Sequence, residues 1–369
     1  MHWVRGRVTR QAHVDIPRGT VEEEYAREGF SGRVSHLYRT APPVGWTRIE
    51  GELRPRAIAV SELPGLGGPD ALASRVAFLH NDDVTLSFAR VSAPMPWSFR
   101  NADGDELLFV HAGVGRIETD FGPLTYGPGD YLMIPRGTVY RLLPTDLTQL
   151  LVIQARGELT VPERGLLGKH ALFDLDLLDV PTPEPRLSRE GEEHELRILR
   201  DGQVTRVFYP FDPINAVGWK GDLCAFRLNV KDIRPVSSER YHLPPSAHAT
   251  FSAEGVFVST FLPRPLEHGD SGALKVPFYH ANIDYDEVLF YHRGDFFSRP
   301  GMRAGMVTFH PQGLHHGPQP GAAERAETKL RTDEVAVMVD TRRPLSMTEA
   351  ARAAELPDYW KSWLPKKEP

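Results

Sequence analysis

The stretches YHANIDYDEVLFYHRG (residues 279–294) and GMVTFHPQGLHHG (305–317) decide the fold. They place His280, Asn282 and Glu287 ahead of Gly294, then Gly305, five residues, Pro311-Gln-Gly313, two residues and His316. Glycine and proline at such intervals mark the tight turns between strands, where a positive or fixed φ is needed. The runs between them, VLFY and MVTF, read as short buried strands. The same intervals recur in the first half as Glu106, six residues, Gly113, and Gly129, five residues, Pro135-Arg-Gly137, two residues, Tyr140. A spacing used twice indicates two copies of one strand-rich unit.

Short runs such as VTLSFARV, ELLFVHAG and QLLVIQA fill residues 76–156, and LCAFRLNV, GVFVSTFL and EVAVMVD fill residues 204–345. Gly and Pro together make 64 of 369 residues, which favours many short strands over long helices. Residues 1–75 lack a helical period and are expected to form edge strands and a wrapping arm. Residues 157–203 are polar and proline-rich, including PTPEPRLSREGEEHE, and read as a linker or insertion. Residues 346–369 are expected to form a short helix, with Ser346 and Glu349 as a capping box, and a tail. The two-part spacing resembles the cupin signature, so the expected fold is all-β, a bicupin of two jelly-roll barrels.

Composition limits the function. A net charge of −6 offers no basic face for nucleic acid. No apolar run approaches the roughly 20 residues of a membrane span. The single cysteine excludes an intrachain disulfide, so the expected setting is the cytoplasm. In the second half the metal positions hold His280, Glu287 and His316, with Asn282 where a second histidine is usual. A histidine on an apolar strand is by itself more often a core residue than a ligand. Three coincident ligands favour a metal, since a lone buried Glu287 carboxylate would cost several kcal/mol. In the first half the same positions hold Phe99, Asn101 or their neighbours, Glu106 and Tyr140. That set should hold no transition ion, so one metal per chain is expected. Two histidines and one carboxylate form the face used by non-haem Fe(II) oxygenases, with open positions for an organic substrate and dioxygen. A metal-dependent isomerase or ligand-binding bicupin is the alternative, and Asn282 counts against it.

The segments PFDPINAVGWKG (210–221), PPSAHATF (244–251), residues 277–297 and HPQGLHHGP (310–318) resemble the homogentisate 1,2-dioxygenase family, with a weaker echo in SHLYRTAPP (35–43). The resemblance implies Fe(II) on His280, Glu287 and His316, and His248 as the base that deprotonates the substrate phenol. It also implies ring opening of a small aromatic substrate by O2 to maleylacetoacetate, in tyrosine and phenylalanine catabolism, by a homo-oligomer of trimers or paired trimers. Phe278 and Phe296 stand where the family has tyrosines, and Arg299 matches a lysine. The implied substrate is therefore homogentisate or a close hydroquinone acid. His310 is expected beside the substrate, and His315 should point away if His316 points in.

Overall fold

The computed structural model describes residues 3–364 except 69, 185–187 and 276–277, and describes the backbone alone at 282, 323, 324 and 327. The Asn282 side chain and the tail at 365–369 thus lie outside the described parts. Among the described residues the chain is built from 22 strands, two short α-helices and six 3-10 turns.

The first half forms two sheets. One has seven strands, in the order Phe226–Asn229, Asp130–Ile134, Asp105–Ala112, Thr148–Ala155, Val84–Val91, Arg75–His80 and Ser346–Met347. The other has six, ordered Gln203–Tyr209, His194–Arg200, Ser98–Asn101, Val139–Pro144, Gly115–Thr119 and Gly122–Tyr126. The second half forms a six-stranded sheet ordered Ala249–Ala253, Val256–Phe261, Asp333–Thr341, Asp286–Asp295, Met306–His310 and Arg56–Ile58. A three-stranded sheet of Tyr279–Asn282, Val21–Ala26 and Val34–Arg39 completes it. The fold is the all-β jelly roll of the cupins, present twice.

Side-chain alternation along the strands sorts the residues into layers. In Asp105–Ala112, Leu107 and Phe109 join a core shared with the second half, whereas Leu108 and Val110 fill the interior of the first. In Asp286–Asp295, Val288 and Phe290 face that shared core, leaving Glu287, Leu289 and Tyr291 on the opposite side. The shared core is closed by Phe88 on Phe290 at 6.1 Å and Tyr131 on Phe251 at 5.3 Å between ring centres. Both faces of these sheets are buried, which is why runs such as ELLFV are apolar throughout rather than alternating.

Three expectations need correction. The stretch read as a linker contains the hairpin His194–Arg200 with Gln203–Tyr209, which adds to the first half's six-stranded sheet through parallel pairing of Leu196 with Ser98. Phe226–Asn229 likewise pairs with Asp130–Met133 of the first half, although the sequence grouped it with the second. Gln203–Tyr209 and Phe226–Asn229 are the end strands of their sheets, so each has one partner, and the run itself does not show to which half that partner belongs. The helix Glu349–Ala353 is capped by Thr348, whose hydroxyl accepts from the Ala351 N–H, while Ser346 is in a strand paired to His80.

Candidate metal centre

Two irregular backbone bonds set the site. His280 and His316 each donate their N–H to the other's carbonyl, at 2.9 and 3.0 Å, so that their rings lie 4.1 Å apart. The Nδ1–H of His280 donates to the Phe278 carbonyl at 3.2 Å, and that of His316 to the Leu314 carbonyl at 3.3 Å. Those bonds select the tautomer whose Nε2 carries the lone pair. Both Nε2 atoms are buried and have no hydrogen-bond partner. Glu287 Oε2 lies 3.5 Å from each of them. Its other oxygen, Oε1, accepts from His310 Nδ1 at 2.8 Å, and His310 Nε2 lies 3.3 Å from the Tyr359 hydroxyl. Burial pulls the His310 pKa down to about 3 and lowers that of His316, so both imidazoles are neutral at pH 7. Three converging lone-pair atoms with no proton donor among them fit a divalent cation.

A cavity of about 110 Å³ opens over these atoms. That is of the order of the ~150 Å³ apolar cavity that admits benzene. His280 and Glu287 reach it from one side, and Phe261, Phe278 and Phe297 supply flat apolar walls. His242, Arg264, Arg299 and Glu334 supply the polar ones. His242 Nδ1 is 3.0 Å from Glu267 Oε1, and burial lowers its pKa to about 4. Arg264 Nη1 and Arg299 Nε are buried without hydrogen-bond partners, while burial pushes the Glu334 carboxyl up.

The structure distributes the residues singled out in the sequence as follows. His280, Glu287 and His316 come together, and Phe278 and Arg299 line the cavity. Phe296 does not: it packs on Tyr291 at 4.7 Å between ring centres, and its neighbour Phe297 faces the cavity. The strand ends at Asp295, so alternation cannot be carried one residue further. His310 is no cavity wall; it holds Glu287. His248 is 2% exposed, packs on Phe261 at 5.2 Å and is not in the cavity wall. His315 points away, to Glu23 Oε1 at 2.8 Å. Arg264 and Phe297 were missed, whereas His242, in HLPPS just ahead of the proline pair, stood with His292 as the next candidate base after His248.

In the first half, Glu106 is fully buried and meets a guanidinium where a metal would stand. Arg75 pairs with it, and the Tyr140 hydroxyl donates to Glu106 Oε2 at 2.9 Å. Arg75 Nη2 also lies 3.4 Å from the Tyr140 oxygen. Every oxygen of Glu106 is satisfied without an ion.

Comparison with known proteins places this arrangement. Residues 72–230 match the family model described as "Homogentisate 1,2-dioxygenase N-terminal", so the first half carries a family signal that the motifs alone concentrated in the second. A protein of Saccharolobus solfataricus, named provisionally as a dioxygenase, is 33% identical and covers 93% of this chain and 92% of its own. The homogentisate 1,2-dioxygenase of Rhodopseudomonas palustris strain BisA53 is 29% identical over 72% of this chain; the match spans 62% of that longer relative. Among solved structures, a cupin 2 conserved barrel domain protein from Leptotrichia buccalis overlaps 75% of this chain and 92% of its own at 11% identity, with a TM-score of 0.33. The class so defined is a dioxygenase built on the cupin fold. Within that class, the chain belongs to the homogentisate 1,2-dioxygenase family of ring-cleaving enzymes.

Proposed function

We propose that this chain holds Fe(II) on His280, Glu287 and His316 and uses O2 to open the ring of homogentisate or a closely related hydroquinone acid. The observation that carries the reading is the cavity over the three ligand atoms, where two buried arginines each keep an N–H without a partner. Such donors call for an anion, and the carboxylate of a small aromatic acid supplies one. Divalent iron, when bound, supplies the one-electron chemistry that lets O2 react with an aromatic ring. The protein's own groups do the rest. Phe261, Phe278 and Phe297 flank the ring and keep water from it. Arg264 and Arg299 hold the carboxylate, so that the ring's phenol is presented to the metal ligands.

His242 takes the phenol proton. It lies in the cavity wall, its ring is fixed through Nδ1 by Glu267, and burial keeps it neutral and able to accept. His248, the base that the family resemblance suggested, sits against Phe261 and supports that wall instead. Carried over from the family as further proposals are a trimeric assembly, a cytoplasmic setting and a maleylacetoacetate-type product. No helix among the described residues is long and apolar enough to cross a membrane.

The test is oxygen uptake by the anaerobically Fe(II)-loaded chain with a panel of para-hydroquinone acids. One O2 consumed per ring opened is the expected result. His242→Gln should keep its iron and lose about 10²–10⁴ in turnover, while His248→Gln should lose far less. Absence of oxygen uptake with every hydroquinone, or the reverse order of the two variants, would overturn the reading of substrate or of base respectively.

A further inference from the structure

A second group of metal-type ligands lies on the arm. His13, Glu24 and His36 bring one ligand atom each within 4.8 Å of one another. They come from separate segments that the fold juxtaposes: Glu24 is in strand Val21–Ala26, His36 stands opposite it in the register of Val34–Arg39, and His13 folds over from the preceding loop. His13 and Glu24 are buried, and only the edge of His36 reaches solvent. We propose that His13, Glu24 and His36 bind a second divalent transition ion, of the zinc or iron type, distinct from the one held by His280, Glu287 and His316.

Three observations support it. The donor set is again two imidazoles and one carboxylate, the set suited to borderline divalent ions. His13 Nε2 and Glu24 Oε2 are 3.4 Å apart, close to the ~3.3 Å that two ligands at about 2.0–2.1 Å from a tetrahedral ion would show. The third is the outer layer. Glu22 Oε2 lies 2.7 Å from His13 Nδ1, and Glu22 is itself held by the His13 backbone N–H and the Tyr38 hydroxyl. His13 Nδ1 and His36 Nδ1 are nonetheless buried without a hydrogen-bond partner, which an ion held by these rings would relieve. Without an ion, and against the cost of burial, Glu22 and Glu24 hold a proton on His13 and raise its pKa to about 9; a dication in place of that proton, with two carboxylates and two imidazoles then neutral, brings the charge of the buried pocket to zero.

The ion would clamp the arm to the strand that carries a ligand of the other centre, because Glu24 is the register partner of His280. Phe278 stands between the two groups, its ring centre 5.0 Å from that of His13 and 5.3 Å from that of His280.

The experiment counts metal. The full chain is stripped with a chelator, reloaded anaerobically with excess Fe(II) or, separately, Zn(II), desalted, and assayed for bound metal per chain. Two equivalents are expected for the wild type, one for His36→Gln or Glu24→Gln, one for the His280→Ala/His316→Ala double variant, and none when His36→Gln is added to that double variant. Circular dichroism confirms that each variant is folded, and the double variant, which leaves the arm intact, decides the matter if an arm variant is not. One equivalent in the wild type that His36→Gln leaves in place would overturn the proposal, with His13 then acting as a protonated partner of the two glutamates. The double variant reports the other centre separately, so failure of one assignment leaves the other readable.

Discussion

Replacing Arg75 by methionine should cost the protein about as much as breaking any fully buried ion pair. Glu106 is 0% exposed, and among the described residues its charged partner is Arg75. The methionine would fill similar space but leave the carboxylate with the Tyr140 hydroxyl alone. Removing one member of a buried pair typically costs 3–5 kcal/mol, because the remaining charge stays desolvated. At roughly 2 °C of melting temperature per kcal/mol for a chain of this size, the variant should melt about 6–10 °C lower. Arg75→Met with Glu106→Gln together should recover most of the loss, since no charge is then stranded. The assay is differential scanning calorimetry of the wild type, both single variants and the double variant, forming a cycle. A loss under about 1 kcal/mol in Arg75→Met would mean that Glu106 does not depend on Arg75 for its charge to be tolerated there. Restored stability on adding a divalent metal to that variant would show that the first half still holds an ion.

His310→Phe should keep the ring stacked on His316 but free Glu287 Oε1, weakening iron affinity about 10–100-fold; a competitive chelator titration measures it, and unchanged affinity would mean that Glu287 needs no orienting partner. Arg264→Met should raise KM for a hydroquinone acid with less change in kcat, because a carboxylate contact is made equally before and during reaction; loss of kcat alone would move Arg264 from substrate binding to the chemistry. Between the halves, His111 and His292 face each other at 3.0 Å through Nδ1, and burial lowers them to about 4 and about 3. A histidine held neutral in the fold binds fewer protons than in the unfolded chain. Its contribution is therefore intact above about pH 6.5 and is lost on acidification, at about 1.4 kcal/mol per pH unit for each ring. His111→Phe with His292→Phe should flatten that part of the acid limb between pH 6.5 and 4 in urea unfolding, and an unaltered limb would assign it to other groups.

The ligand set was legible because the turns around it are fixed by glycine and proline, and a turn of fixed length fixes which residue follows it. His280, Glu287 and His316 stand at set distances from Gly294, Gly305 and Gly313, and Gly294 shows why its identity is constrained. A Cβ there would sit 1.7 Å from the Asp333 carbonyl oxygen. The cavity walls were less legible, because they come from segments with no period. His242 and Arg264 lie in loops before and after the Ala249–Phe261 hairpin, and Phe297 follows the end of its strand. The arm was read as edge strands, but its composition hid their destination: VEEEYA is charged on the face that turns inward, because Glu22 and Glu24 meet histidines rather than apolar side chains. The segment PDYWKSW became readable only in three dimensions, where Tyr359 reaches His310 and Trp363 donates from its indole to the Pro318 carbonyl.

The parallel pairing of Glu24 with His280 joins positions 256 residues apart. At about 5–20 residues per second of synthesis, the strand Val21–Ala26 would leave the ribosome roughly 10–50 s before its neighbour exists. During that interval its glutamates are hydrated and the edge that will pair with Tyr279–Asn282 is open to other chains. The His280 strand, when it arrives, finds a partner made long before it. Ring-cleaving capacity should therefore appear only after the His280 strand has been made, however early the first-half sheets have formed, and a chaperone that shields the early arm should raise the yield of active protein without changing its stability once folded.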